Sequence, residues 1–139
     1  MLTFQFLKTP ACDQIKAIIC LYQEAKWWSA GIDDQDLIKA IVAGSHCFCV
    51  ATTNNKIVAM GRAISDGASD AYIQDVVVSK AFRHQGIATQ IITRLIEKLE
   101  ADGIGWIGLI AENNTTAFYH RFGFTPMENA ISMLRLRKL

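Results

Sequence analysis

The reading of the fold turns on Val76-Val77-Val78-Ser79-Lys80-Ala81-Phe82-Arg83-His84-Gln85-Gly86-Ile87-Ala88. The β-branched valine run predicts the end of a buried strand. A polar, basic loop over residues 79–85 follows, and Gly86 closes it. A helix is then expected over residues 86–101. Ile87, Ile91, Leu95 and Leu99 recur there at helical spacing, with Ile92 and Ile96 beside them. A helix N-terminus offers unpaired N–H groups and about half a positive charge. Gly86 and Ala88 carry almost no side chain, so a phosphate can reach the backbone, and the arrangement suits a pyrophosphate. The pattern lacks the Gly-Lys-Ser/Thr end of a P-loop and the three glycines of a dinucleotide fingerprint. From the loop alone, a plain strand-to-helix turn stays open.

Upstream of this stretch, residues 71–78 form the whole predicted strand. Residues 47–52 and 56–64 read as a hairpin around Asn54-Asn55. Two helices are expected before it. The first runs from about Asp13 to Trp28 with Ile15, Ile18, Ile19 and Tyr22 at helical spacing. The second covers residues 36–43, capped by Asp33 or Asp34. Residues 2–7 are a short β-prone run. Downstream, residues 105–110 read as a buried strand. Asn113 and Asn114 are expected to cap a helix over residues 115–122, which Gly123 ends. Residues 124–127 and 131–137 read as the arms of a closing hairpin. No repeat or linker interrupts this order, which predicts one α+β domain over residues 1–139 with a mostly antiparallel sheet.

The bulk properties narrow the function. The chain has 139 residues, 51% of them apolar and 19% charged, so it buries a core and is not disordered. Its longest apolar or glycine run, residues 104–111, falls far short of the ~18 residues of a membrane span. The first eight residues lack a basic region and a long apolar stretch, so no secretory signal is expected. Fourteen basic residues against thirteen acidic ones give a net charge of +1 with no polybasic stripe, which argues against a nucleic-acid partner. Cys12, Cys20, Cys47 and Cys49 lack the two-residue spacing of a zinc or thiol-redox pair. They read as free thiols of a cytoplasmic protein, and no metal is expected.

Two segments together carry a family resemblance. Arg83-x-x-Gly86-x-Ala88 follows the valine strand, and Asn114-Thr115-Thr116-Ala117-Phe118-Tyr119-His120-Arg121-Phe122-Gly123-Phe124 lies further on. They resemble the general N-acetyltransferase (GNAT) superfamily, with its Arg/Gln-x-x-Gly-x-Gly/Ala acetyl-CoA motif and its Asn…Tyr-x-x-x-Gly-Phe segment. The resemblance is specific over residues 71–124; over residues 1–70 it rests on element order. It implies an α/β sandwich whose sheet, flanked by helices, splays at a CoA cleft. It also implies acetyl-CoA as co-substrate and direct acetyl transfer to a primary amine of a small molecule or peptide.

Carried over residue by residue, the resemblance implies that Val76 and Val78 offer backbone contacts to the pantetheine arm, with Val77 between them. It implies that the amides of His84, Gln85, Gly86, Ile87, Ala88 and Thr89 hold the pyrophosphate, with a charge-assisted contact from Arg83. Tyr119 matches the general acid that protonates the CoA thiolate, and Phe118 precedes it. Asn114 matches a CoA-contacting asparagine or is simply the helix cap. An alkyl amine must lose a proton before it attacks. Asp75 and Gln74 lie where the family places a base or a water-holding group. Asp75 then acts directly, through water, or as an amine anchor. Gln74 and Asp75 face opposite ways unless a bulge intervenes. The stretch resembles the Ile-Glu-Asp strand of glucosamine-6-phosphate N-acetyltransferases, but Gln74 replaces the first acid, which counts against that substrate. Trp27 and Trp28 would roof the acceptor pocket, with Arg62 and Tyr72 facing it. Each of these also has an ordinary core or surface reading. The rival reading is a catalytically silent acyl-CoA-binding module, which keeps the loop and loses turnover. The closing strand pair completes its own sheet or a partner's, so a monomer and a homodimer both stay open.

Overall fold

The computed structural model describes residues 1–137. Its backbone divides into two compact units, Met1–Gly108 and the residues from Leu109 onward. The larger unit runs β1 (Thr3–Phe6), α1 (Cys12–Glu24), α2 (Gln35–Gly44), β2 (Cys47–Thr53), β3 (Lys56–Ser65) and β4 (Asp70–Val78). A single 3-10 turn, Lys80–Phe82, then leads into α3 (Ile87–Ala101) and β5 (Trp106–Leu109). The smaller unit contains α4 (Thr116–His120). The sheet is mixed, flanked by helices and not closed, in the order β1-β2-β3-β4-β5.

Local chemistry accounts for most element ends. The β2–β3 hairpin turns on Asn54 and Asn55, both at positive φ, as a tight two-residue hairpin turn requires. Asp34 caps α2, its Oδ1 accepting from the Leu37 N–H at 2.9 Å. Helix α1 stops at Glu24, short of the expected Trp28, because Lys26 turns left-handed (φ 64°). Beyond that break the Trp27 and Trp28 N–H groups both donate to the Tyr22 carbonyl.

The sheet carries a different core on each face. Ile15, Ile18, Tyr22, Ile38 and Val42 of α1 and α2 pack against Phe48, Val50, Met60 and Val77. On the other face, β3 presents Ala59, Gly61 and Ala63, which alternation sets on one side. These small residues let α3 come close. A Cβ on Gly61 would stand 2.7 Å from Ile91 Cγ2 and 3.2 Å from Leu95 Cδ1.

Two further expectations are corrected. Residues 124–137 form no strand, so the closing hairpin is absent from the described residues, and Met127, Ile131, Met133 and Leu134 are exposed. A lone two-stranded hairpin is marginal in water without a sheet or helix to pack on, and Pro126 lacks a ladder donor. The cap of α4 is Thr115, whose Oγ1 donates to the Glu112 carbonyl, and not Asn113 or Asn114. Those two asparagines take left-handed turn positions, at φ 55° and 62°, which suit their short polar side chains.

Candidate active site

The site is built around an irregularity in β4. Met60 pairs with Val77, but Arg62 pairs with Gln74, so one residue of β3 faces two of β4. Gly61 is the single residue, and Asp75 and Val76 are the pair. Asp75 is left-handed, at φ 57°. The bulge changes which residues share a face. Gln74 lies opposite Arg62, and the Asp75 carboxylate accepts from Arg62 Nε at 2.6 Å. Gln74 and Asp75 therefore both belong to the Arg62 side of the sheet, while Val76 turns to Gly61 and α3.

Asp75 Oδ2 takes a second hydrogen bond, 2.7 Å long, from the hydroxyl of Tyr22 on α1. Burial, reinforced by the adjacent Asp75 charge, pushes the Tyr22 hydroxyl well above its usual pKa, so it stays a donor. Trp28 stacks on the Tyr22 ring with centroids 5.1 Å apart, and Trp27 meets it edge-on at 5.9 Å. Trp28 packs against the core and Trp27 is exposed. Tyr72 and Gln74 lie further along the exposed stretch of the same face. The Trp106 indole packs edge-on to Tyr72 at 5.2 Å. A Cβ on Gly108 would stand 2.9 Å from that indole, so the glycine makes room for it.

The strand then delivers the chain to α3. The Ser79 N–H donates to the Val58 carbonyl at 2.8 Å. Glu24, at the end of α1, accepts from Ser79 Oγ and from the Lys80 N–H, which anchors the loop's start. Arg83 Nε donates to the Val78 carbonyl at 3.0 Å, leaving its other guanidinium N–H groups for a ligand and occupying an acceptor expected to serve one. His84 and Gly86 are both left-handed, at φ 64° and 76°. Residues 83–86 are exposed, and a Cβ on Gly86 would meet nothing within 4 Å. No side chain caps α3. Ile87 is buried in the core, and Ala88 and Thr89 complete the first turn. An open, uncapped, glycine-led helix start fits the pyrophosphate of a CoA thioester.

In the smaller unit, Tyr119 is half-buried between the rings of Phe118 (5.0 Å) and Phe124 (6.0 Å). Burial raises its hydroxyl above the usual tyrosine range. Phe118 also meets Phe122 edge-on, and Asn114 is exposed. The expected residues thus fall into three groups: the Asp75 network, the α3 start, and Asn114, Phe118 and Tyr119 in the second unit. Among the described residues, no three His, Cys, Asp or Glu side chains converge as a metal site. No described helix is long and apolar enough to cross a membrane.

Sequence reading missed three participants. Tyr22 reads as one more apolar position of α1, and Glu24 and Gly61 are not singled out at all. A hydroxyl within an otherwise aliphatic stripe is the one signal that marks Tyr22.

Comparison with known proteins agrees with this architecture. An acetyltransferase (GNAT) domain model matches residues 13–136. The chain is 39% identical over 115 residues to GCN5-related N-acetyltransferase 1, chloroplastic, of Arabidopsis thaliana, covering 79% of this chain and 58% of that one. The chain spans about half the length of the curated relatives it matches. A probable acetyltransferase from Staphylococcus aureus superposes with TM-score 0.81 at 18% identity, covering 99% of this chain and 100% of the other. A predicted acetyltransferase from Clostridium acetobutylicum, solved with acetyl-CoA, gives TM-score 0.72 at 17% identity over 96% of both chains. By the match across most of its length, the chain belongs to the GNAT acetyltransferase domain family.

Proposed function

We propose that the chain is an acetyl-CoA-dependent N-acetyltransferase that moves acetyl directly to a primary amine of a small molecule or peptide. The observation that carries this reading is the bulged strand running straight into an open, uncapped helix start. The strand has backbone to offer beside a thioester arm, because β5 has four residues against nine in β4. Trp106 N–H donates to Ser69 O and Gly108 lies by Tyr72, so β5 follows the first part of β4 and ends short of Val76–Val78.

Acetyl-CoA supplies a thioester carbonyl open to attack by a neutral amine. The amides from His84 to Thr89 bind the pyrophosphate, aided by the helix dipole and Arg83. The Val76–Val78 backbone orients the pantetheine arm as an added strand would be oriented. Trp27, Trp28, Tyr72, Arg62 and Gln74 line the acceptor side, where the aromatic rings suit an alkylammonium or an apolar acceptor. Tyr119 delivers the proton to the departing thiolate, and its raised pKa keeps it protonated at neutral pH.

Calorimetric titration with acetyl-CoA, CoA and ATP tests the binding step. Micromolar binding of acetyl-CoA without ATP binding is expected. A thiol-release screen with tyramine, spermidine, glucosamine 6-phosphate and a lysine peptide then tests transfer. Binding without transfer to any amine would favour a silent acyl-CoA-binding module, and absence of binding would overturn both readings.

A further inference from the structure

The extra residue of β4 is Asp75, and three segments converge on its carboxylate. Tyr22 brings the end of α1, with Trp27 and Trp28 wound onto it through hydrogen bonds of 3.1 and 3.2 Å to its carbonyl. Arg62 brings β3 from directly across the sheet. The other end of the same guanidinium reaches Ser45 Oγ at 3.5 Å, and that hydroxyl is buried and bonded to the Ile41 carbonyl at the end of α2. Both short hydrogen bonds land on one oxygen, Oδ2. A left-handed aspartate is a conformation that surrounding structure must hold in place, and two charge-assisted or buried donors on one oxygen are such a hold.

We propose that Tyr22 and Arg62 make Asp75 a positioning residue: its carboxylate locks the left-handed kink of β4, sets where Val76–Val78 present their backbone, and is not the proton acceptor of the reaction. The inference rests on the N-acetyltransferase reading. A general base must accept a proton each cycle. Both donors sit on Oδ2, so a proton on Oδ1 would leave Tyr22 its acceptor, but it would discharge the carboxylate that balances the largely buried Arg62 guanidinium. The same network ties the Trp27–Trp28 segment to the bulge, so the acceptor side and the thioester side are set by one carboxylate.

The test compares the intact protein with Tyr22→Phe, Asp75→Asn and the double variant, using acetyl-CoA and whichever amine of the panel above it turns over. Tyr22→Phe removes one oxygen and keeps the ring stacked on Trp28, so the fold survives. Rates are taken well below each variant's melting temperature. We expect each single variant to lower kcat about tenfold with KM for acetyl-CoA within about twofold. The double variant should be no slower than the worse single one, as for residues acting as a unit. Both limbs of the kcat–pH profile should stay in place in Asp75→Asn. Loss of the limb reporting the base in Asp75→Asn, with Tyr22→Phe unaffected, would overturn the proposal and make Asp75 the base. Unchanged kcat in both single variants, or losses that multiply in the double, would also overturn it. If the unmodified protein itself turns over no amine, the failure lies with the N-acetyltransferase reading.

Discussion

Gly61→Ala is the sharpest test of how α3 is seated. The new Cβ would stand 2.7 Å from Ile91 Cγ2, and 3.2 Å from both Leu95 Cδ1 and Val76 Cγ2. Ile91 and Leu95 are fully buried, so neither can swing into solvent. Cγ2 also hangs from the branched Cβ of Ile91, whose χ1 is stiff in a helix. Relief must come from shifting the helix off the sheet. Overpacking of this kind costs about 1–3 kcal/mol. Restricting the unfolded chain returns about 0.4–1 kcal/mol. Because the contact is with a stiff, fully buried branch, the overpacking cost is expected in the upper half of its range, about 2–3 kcal/mol. The net loss is therefore about 1–2.6 kcal/mol, or roughly 4–10 °C in Tm for a domain this size. Ile91 sits one turn inside α3, so the shift also disturbs the amides beyond Gly86, and acetyl-CoA affinity should fall with stability. Thermal and urea melts of Gly61→Ala, Ile91→Leu and the double variant measure the effect. Leucine lacks the Cγ2 branch, so the double variant should be more stable than the sum of the singles by at least about 0.5 kcal/mol. A neutral or stabilising Gly61→Ala, or simple additivity, would refute the reasoning.

Other outcomes follow from the same geometry. Gly86→Val puts a branched side chain at φ 76° and into the open space over the helix start. Strain of about 1–2 kcal/mol should show in the melt, and acetyl-CoA affinity should fall more than tenfold by calorimetry. Tyr119→Phe should bind acetyl-CoA normally yet lose roughly a hundredfold or more in turnover; unchanged turnover would remove it as the acid. Asp66 caps its own turn, its carboxylate accepting from the Ala68 and Ser69 N–H groups, and these bonds lower its pKa to about 2. A carboxylate depressed on folding adds stability that is fully present above its unfolded value of 3.8 and is lost as pH falls toward 2. Carbon-detected NMR titration should place its midpoint near 2, and the acid melt of Asp66→Asn should be flatter than that of the unmodified chain between pH 4 and about 2. A midpoint near 4 would contradict the turn geometry.

What the sequence makes legible, and what it hides, divides along one physical line. Strands β2 to β4 and helix α3 are carried by local periodicity: alternating apolar residues, a turn of two asparagines, isoleucines and leucines at helical spacing. Those signals live within a few residues of chain, and the expected bounds fall within a residue or two of the observed ones. The start of α3 is equally local, because Gly86 supplies the positive φ that the turn requires. The Asp75 network is not local. Tyr22 and Asp75 are 53 residues apart, and in sequence Tyr22 is an apolar stripe position set apart only by its hydroxyl, with nothing to tie it to Asp75. The bulge is settled by packing, where Gly61 yields to Ile91 and Leu95, and alternation alone sends Gln74 and Asp75 to opposite faces. Residues 131–137 show the converse limit. They have strand-like composition, but a strand exists only where a partner offers its ladder, and composition does not say where that partner is. The parts hidden from a sequence reading are therefore the parts held by distant pairs. In this chain one such pair sits at the strand irregularity beside which acetyl transfer would take place. Tyr22 is for that reason a better first mutation than any residue of the glycine loop: changing the loop tests only whether an anion binds, whereas removing one hydroxyl from Tyr22 tests whether the site's geometry is assembled from across the fold.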